Sequence, residues 1–321
     1  MVNESQIERS KRIQQRTGKT FHLATRLLPE RIRHPTYVLY AFFRKADEVV
    51  DTADPDPAAV QRERLERFRD AALGRSETDD PVLAAFAEVR ERHGIHAADV
   101  DAFVDAMLAD IDTDRYETYA DLEAYMDGSA SAVGRMMTTL MDPDDSDGAR
   151  PYATALGEAF QLSNFIRDVR EDIVERDRVY LPEETLDRHG VTQAQLRRFE
   201  VTDGFRAAIR EELARAEALY REGVAGIELL PRDCQFAVLL AAVLYADHHR
   251  LVRRRDCDVL SATPSLSLPR KLSLLARTRW HWFWSKDPEA VFRAVSVVPD
   301  PDRDRRSGGH EPGPADHLPA R

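Results

Sequence analysis

Apolar residues recur along this chain at spacings of three and four, the repeat of a helix that buries one face. No segment holds the two-residue alternation of a half-buried strand. The pattern predicts helices over residues 6–25, with a break near Gly18, and over 58–73, 81–93, 97–110, 122–141, 152–175, 205–227 and 232–255. His34-Pro35 is expected to open a further helix reaching Asp51, since proline in a first turn lacks only an N–H that has no partner there. Leu28-Pro29, Asp54-Pro-Asp-Pro57 and Asp142-Pro-Asp-Asp-Ser-Asp-Gly148 read as breaks, and Tyr180-Leu-Pro182 as the stop of the 152–175 helix, before a short segment over 191–199. The fold class is therefore all-α. One helix is odd in composition: Gly128-Ser-Ala-Ser-Ala-Val-Gly134 places two glycines in a helix interior, where each costs about 1 kcal/mol. Close packing of a neighbour would explain them, and so would a cavity for a long apolar ligand.

Composition narrows the setting. With 321 residues, 43% of them hydrophobic, the chain can bury a large core, and no shift in composition divides it before the end. It reads as one domain over 1–297 with a polar tail, expected to be disordered, over 298–321. A net charge of −11 argues against nucleic acid as a partner. Cys234 and Cys257 lack the spacing of a disulfide framework, and the first residues carry no apolar signal core, so a cytoplasmic protein is expected. The longest apolar run, 236–246, is too short to span a bilayer. Residues 270–285 mix Arg270, Lys271, Arg277 and Arg279 with Trp280, Trp282, Phe283 and Trp284, which suits either a packing helix or peripheral contact with the cytoplasmic face of a membrane.

The candidate chemistry lies in two acidic stretches. Asn164, Asp168 and Asp172 follow one another at four-residue steps, which on a helix stacks their oxygens along one face. Asp47 and Asp51 do the same, just beyond Arg44. A solvated surface would explain either set alone. Two sets facing each other would crowd four carboxylates into one cleft, at a cost that bound divalent cations would relieve. Hard cations such as Mg²⁺ take oxygen ligands and share them with substrate phosphates, and arginine supplies a fork for phosphate oxygens. His248-His249 are also adjacent, but neighbours on a helix point about 100° apart, so they are not expected to share a metal.

These stretches carry a resemblance. Arg44-Lys-Ala-Asp47-Glu-Val-Val-Asp51, Tyr125 with Val133-Gly134, and Gln161-Leu-Ser-Asn164-Phe-Ile-Arg167-Asp168-Val-Arg-Glu-Asp172 ending at Arg178-Val-Tyr180-Leu-Pro182 resemble the squalene/phytoene synthase family over roughly residues 14–285. The resemblance implies an isoprenoid synthase-type helical bundle around a central cavity. It implies that Asp47, Asp51, Asn164, Asp168 and Asp172 hold Mg²⁺, with Mn²⁺ as a substitute, and are the catalytic set. It implies substrate contacts from Thr20, Tyr40, Arg44, Tyr125, Gln161, Arg167 and Tyr245, with prenyl diphosphates as substrates. Thr17-Gly18-Lys19-Thr20-Phe21 departs from the family pattern at Gly18, where a hydroxyl is usual. The implied reaction is head-to-head condensation of two geranylgeranyl diphosphates to phytoene. The alternative is squalene or dehydrosqualene from two farnesyl diphosphates, NADPH being needed only for squalene. A terpene cyclase would use similar aspartates with one substrate, and a helical scaffold would need neither aspartate set.

Overall fold

The computed structural model describes residues 19–51 and 56–300, with the side chains of residues 19–21 left outside that description. The expected helix before Lys19 and the tail beyond residue 300 also lie outside it. Fourteen α-helices are described: α1 (Lys19–Thr25), α2 (Glu30–Val50), α3 (Ala58–Ala72), α4 (Pro81–His93), α5 (Ala97–Ala109), α6 (Tyr119–Met126), α7 (Ala132–Met141), α8 (Ser146–Arg176), α9 (Glu183–Arg188), α10 (Gln193–Arg197), α11 (Asp203–Ala225), α12 (Arg232–Arg254), α13 (Leu268–Trp284) and α14 (Pro288–Val295). A π-helical turn, Asp127–Ser131, joins α6 to α7, and a 3₁₀ turn, Gly226–Leu229, follows α11. Among the described residues the only extended pairing is the isolated bridge between Arg115 and Val179.

Local chemistry explains the sharpest boundaries. In α4, the Asp80 side chain accepts the N–H groups of Val82 (2.9 Å) and Leu83 (3.3 Å), Pro81 fills the first position, and Gly94 ends the helix at φ 71°. Helix α2 differs from expectation, because it starts at Glu30 and carries Pro35 in its interior. A proline this close to the start removes one main-chain bond. The turn survives because Ile32, Pro35 and Thr36 are all buried and the Thr36 hydroxyl donates to the Ile32 carbonyl at 2.8 Å. Helix α8 begins earlier than expected and spans 31 residues, about 46 Å. Beyond it α14 was not anticipated, and Val298 is buried, so the chain stays packed past the expected start of the tail.

Helix α8 is the axis of the fold, packed along α11 and flanked by α7, the π-turn and α12. The core that α8 and α11 enter through Leu162, Ile166 and Ile209 extends to Phe42, whose ring stacks on Phe86 with centroids 3.7 Å apart and on Phe68 at 4.9 Å. The paired histidines are inside: His249 bridges Ser163 Oγ (2.8 Å) and Glu217 Oε1 (3.1 Å), while His248 Nδ1 bonds the Tyr245 carbonyl (3.0 Å). No helix among the described residues is long and apolar enough to cross a membrane.

The small residues of the π-turn and α7 let backbones touch. A Cβ on Gly128 would sit 2.2 Å from the Ala102 carbonyl oxygen of α5, and one on Gly134 would sit 2.4 Å from the Ala153 carbonyl oxygen of α8. Alanine at 128 gains helix propensity but must push two backbones apart. We predict that Gly128→Ala lowers thermal stability, by about 1–3 kcal/mol, as overpacking a tight core does. An unchanged or raised melting temperature by calorimetry would contradict that.

Candidate active site

A cavity of about 950 Å³ opens between α2, α7, α8 and α12. Its lining on α8 runs from Ala149 to Glu171, about 33 Å of helix at 1.5 Å per residue. One end is polar, with Tyr40, Arg44, Asp47, Gln161, Asn164, Arg167, Glu171 and Tyr245 in its walls. The other is apolar and closes on Leu28, Met141 and Leu230, which pack in one small cluster with Ile32, Cys234 and Ala237. Between them Phe43, Val133, Met137, Leu156 and Phe160 form the sides.

The two acidic stretches meet at the polar end. Arg176 joins them: its Nε lies 3.2 Å from Asp51 Oδ2 and its Nη1 3.1 Å from Asp172 Oδ1. Arg178 lies 3.5 Å from Asp51 and 3.3 Å from Asp110, a buried carboxylate on the α5 side. Arg167 Nε donates to Asp168 Oδ1 at 2.7 Å, and a second guanidinium nitrogen donates to Oδ2. Arg44 stands 3.8 Å from both Asp47 and Glu48, too far for hydrogen bonds, and its buried Nε has no partner. It is thus a charged donor in the cavity wall with bonding capacity unused. Lys45 turns away to Asp80, 2.6 Å off.

Crowding shows in the acidities. Burial, then the charge of Asp51, pushes Asp47 up to about 7. The Asp47 side chain keeps 36% of its surface accessible in the cavity wall, so solvent there screens part of this rise. Burial, then Asp168, likewise pushes Asp172 up to about 7, and burial raises Asp110 to about 6. Burial and the neighbouring Asp168 raise Glu171 as well.

Not every expected residue lies in the cavity wall. Asp51, Asp168 and Asp172 sit around its rim, because four-residue steps overshoot a helical turn by about 40° each and carry the row off the Asn164 face. The face turned inward is Gln161, Asn164, Arg167 and Glu171. Glu171 was missed for that reason, and three-and-four spacing from Asn164 is the signal that would find it. Arg176 and Asp110 were also missed. Arg176 sits at four residues from Asp172, whereas nothing in the sequence joins Asp110 to Arg178. Tyr125 lies outside the main cavity: its hydroxyl donates to Asp110 at 2.9 Å and its ring stacks near Tyr180, centroids 5.9 Å apart. The Thr20 side chain is outside the described residues.

The Arg178–Leu181 segment is held by main-chain bonds. Asp177 ends α8 at φ 50°, Val179 N–H donates to the Asp114 carbonyl (3.1 Å) and Glu183 N–H to that of Tyr116 (2.9 Å). This strap turns Arg178 back toward Asp51.

Known proteins resemble this chain over most of its length. The family model described as squalene/phytoene synthase matches residues 14–271. The chain belongs to the squalene/phytoene synthase family. It is 34% identical to the phytoene synthase of Rhodobacter capsulatus over 281 residues, 87% of this chain and 82% of that one. It is 37% identical to the phytoene synthase of Thermus thermophilus over 237 residues, covering 70% and 76%. A crystal structure of a dehydrosqualene synthase with ligand superposes with a TM-score of 0.78 at 28% identity, covering 88% of this chain and 98% of that one. The fold is the isoprenoid synthase-type helical bundle around a central cavity, and the chain is a prenyltransferase of this family.

Asp47 and Asp172 hold protons more tightly folded than unfolded, where aspartate ionises near 3.8. Between about pH 4 and 7 the folded state binds more protons, so this contribution favours folding on the acid side and is lost as pH rises through about 7. In protein stripped of divalent ions, the melting temperature of Asp47→Asn relative to the parent is predicted to rise as pH increases from about 5 to about 8. A difference that stays flat across that range in fluorimetric melts would contradict the crowding.

Proposed function

We propose that the chain condenses two geranylgeranyl diphosphates head to head (1'-1) to phytoene through prephytoene diphosphate, a cyclopropylcarbinyl diphosphate, and so opens carotenoid synthesis. The observation that carries this reading is the cavity, with carboxylates and arginines at one end and an apolar depth alongside about 33 Å of α8. The names of the bacterial relatives add support. We take residues 1–297 to act as one domain.

The inferred metal set is Asp47, Asp51, Asn164, Asp168 and Asp172, with Mg²⁺ or Mn²⁺. Among the described residues no three His, Cys, Asp or Glu side chains form a ready cage. That suits Mg²⁺, which keeps several waters and takes one or two carboxylates plus substrate phosphates. The crowded carboxyls at the rim are oxygen donors of the right hardness, and their reluctance to ionise is what an added cation would relieve. When bound, Mg²⁺ neutralises charge developing on the departing diphosphate. The protein's own share falls to Arg44, whose buried Nε has no partner, to Gln161, and to Arg167, which has Nη1 to offer a diphosphate oxygen beside the two nitrogens that hold Asp168. Loss of diphosphate leaves an allylic cation, and the double bond of the second substrate attacks it; loss of a proton closes the cyclopropane. Phe160 and Tyr245, stacked with centroids 4.7 Å apart in the cavity wall, offer ring faces that stabilise a cation. A second ionisation, rearrangement and proton loss give the hydrocarbon.

A shorter substrate is the second reading, favoured by the superposition on a dehydrosqualene synthase. Two farnesyl diphosphates would give dehydrosqualene, or squalene with NADPH. At about 0.8 kcal/mol per buried CH₂, five further carbons are worth about 4 kcal/mol if the depth admits them.

Purified protein with Mg²⁺ and geranylgeranyl diphosphate is expected to yield a C40 hydrocarbon by chromatography of the extract. Only a C30 product from farnesyl diphosphate, with or without NADPH, would install the second reading. Asp47→Ala and Asp168→Ala are expected to lose turnover by at least about a hundredfold while keeping the parent's circular dichroism. Retained turnover in either would remove that residue from the catalytic set. Ala237→Phe, at the closed end, is expected to raise the preference for farnesyl over geranylgeranyl diphosphate about tenfold or more, read as the ratio of kcat/KM values.

A further inference from the structure

Helix α13 has two faces of opposite use. Leu274, Thr278 and Trp282 are buried, and Trp282 packs toward Phe236 of α12 with centroids 6.2 Å apart. On the other face Leu268, Leu272, Trp280, Phe283 and Trp284 are large, apolar and exposed, the last three by 64%, 69% and 71%. Five exposed positions, 268, 272, 276, 280 and 284, follow at four-residue steps over 17 residues, about 25 Å of helix. Trp282, which the sequence offers as an equal of its neighbours, is therefore a core residue, and the surface belongs to Trp280, Phe283 and Trp284.

Charge separates this helix from the rest of the protein. Within a chain of net charge −11, α13 carries Arg270, Lys271, Arg277 and Arg279 and no acid. Arg270 is engaged with Asp247 at 2.7 Å, and the Arg279 guanidinium lies over Phe236, 5.6 Å from the ring centre. Arg277 and Arg279 are exposed beside the aromatic end of the stripe, and Lys286 follows it. A row of aromatic and aliphatic side chains bordered by cations complements a surface that is apolar beneath and anionic above. A two-fold contact between copies would instead set these cations against each other.

We propose that α13 docks the protein on anionic lipid bilayers, lying along the interface with Trp280, Phe283 and Trp284 in the headgroup region and Arg277, Arg279 and Lys286 on the anionic headgroups. The surface adjoins the cavity wall. Ser265, three residues before α13, lines the cavity, and α12, on which α13 packs, contributes Ala237, Val238, Ala241 and Tyr245 to the same wall. The proposal rests on this surface and holds whichever prenyl chain the cavity accepts.

The test is co-sedimentation of the full chain with phosphatidylcholine vesicles and with vesicles that also carry phosphatidylglycerol. The parent is expected to sediment with the anionic vesicles, and less so at high salt. The Trp280→Ser/Phe283→Ser/Trp284→Ser variant and the Arg277→Glu/Arg279→Glu variant are each expected to bind at least about tenfold more weakly, with parental melting temperatures and parental turnover of detergent-dispersed substrate. A parent that stays in the supernatant with both vesicles would overturn the proposal. So would equal binding to neutral vesicles, binding unchanged in the aromatic variant, or a parental dimer that this variant abolishes.

Discussion

The polar end of the cavity depends on one guanidinium. Arg176 closes α8 and reaches the last turn of α2, touching Asp172 on its own helix and Asp51 across the gap. Without a cation between them, the carboxylates at the ends of α2 and α8 repel, and the repulsion would spread the helices that frame the cavity mouth. Arg178 doubles the link by joining Asp51 to Asp110. Two arginines thus share three acids, and burial first, with the charge of the neighbouring carboxylates added to it, leaves Asp47 and Asp172 reluctant to ionise.

That clamp needs a backbone able to deliver Arg178. A helix continuing past Arg176 would carry the side chain at 178 around the axis and out of register with Asp51. The left-handed turn at Asp177 breaks the helix, and bonds from Val179 and Glu183 to the 114–116 loop hold the chain beside α5. Behind it, Tyr125, Tyr116, Tyr180 and Phe165 stack into one aromatic block, with Phe165 and Tyr180 3.9 Å apart between centroids. Tyr125 serves the site through this block, by its bond to Asp110, and not as part of the cavity wall.

How much of this the sequence discloses depends on the range of the forces involved. Helix α4 was legible to the residue because Asp80, Pro81 and Gly94 act within a few positions of its ends. Helix α2 was misread at its start, since tolerance of Pro35 depends on what the turn packs against. The two acidic sets were visible because i,i+4 spacing is a local fact. Their meeting, and the partnership of Asp110 with Arg178 from 68 positions away, belong to tertiary structure alone. The inward face of α8 fell between these cases: the four-residue row was right about proximity and drifted off the cavity because a helix turns in 3.6 residues.

The glycines of the π-turn and α7 join the two explanations that the sequence left open. Gly128 and Gly134 bring backbones into contact at points where any Cβ would collide, as does Gly157 against the Ala130 carbonyl oxygen, 2.6 Å from an added Cβ. Yet Ser129, Ala130, Val133, Gly134, Ala153 and Gly157 also line the cavity. Helices pinned at backbone distance cannot slide inward, and the short side chains beside those contacts cannot fill the space that the larger residues of α2 and α12 leave open. A wall built this way keeps its shape without a ligand, because what holds it apart is main-chain packing, whose rigidity does not depend on rotamers. Tight packing is therefore the means by which the chain keeps a long apolar space, and the π-turn, which adds a residue to the helix at that contact, sets which small side chains face it.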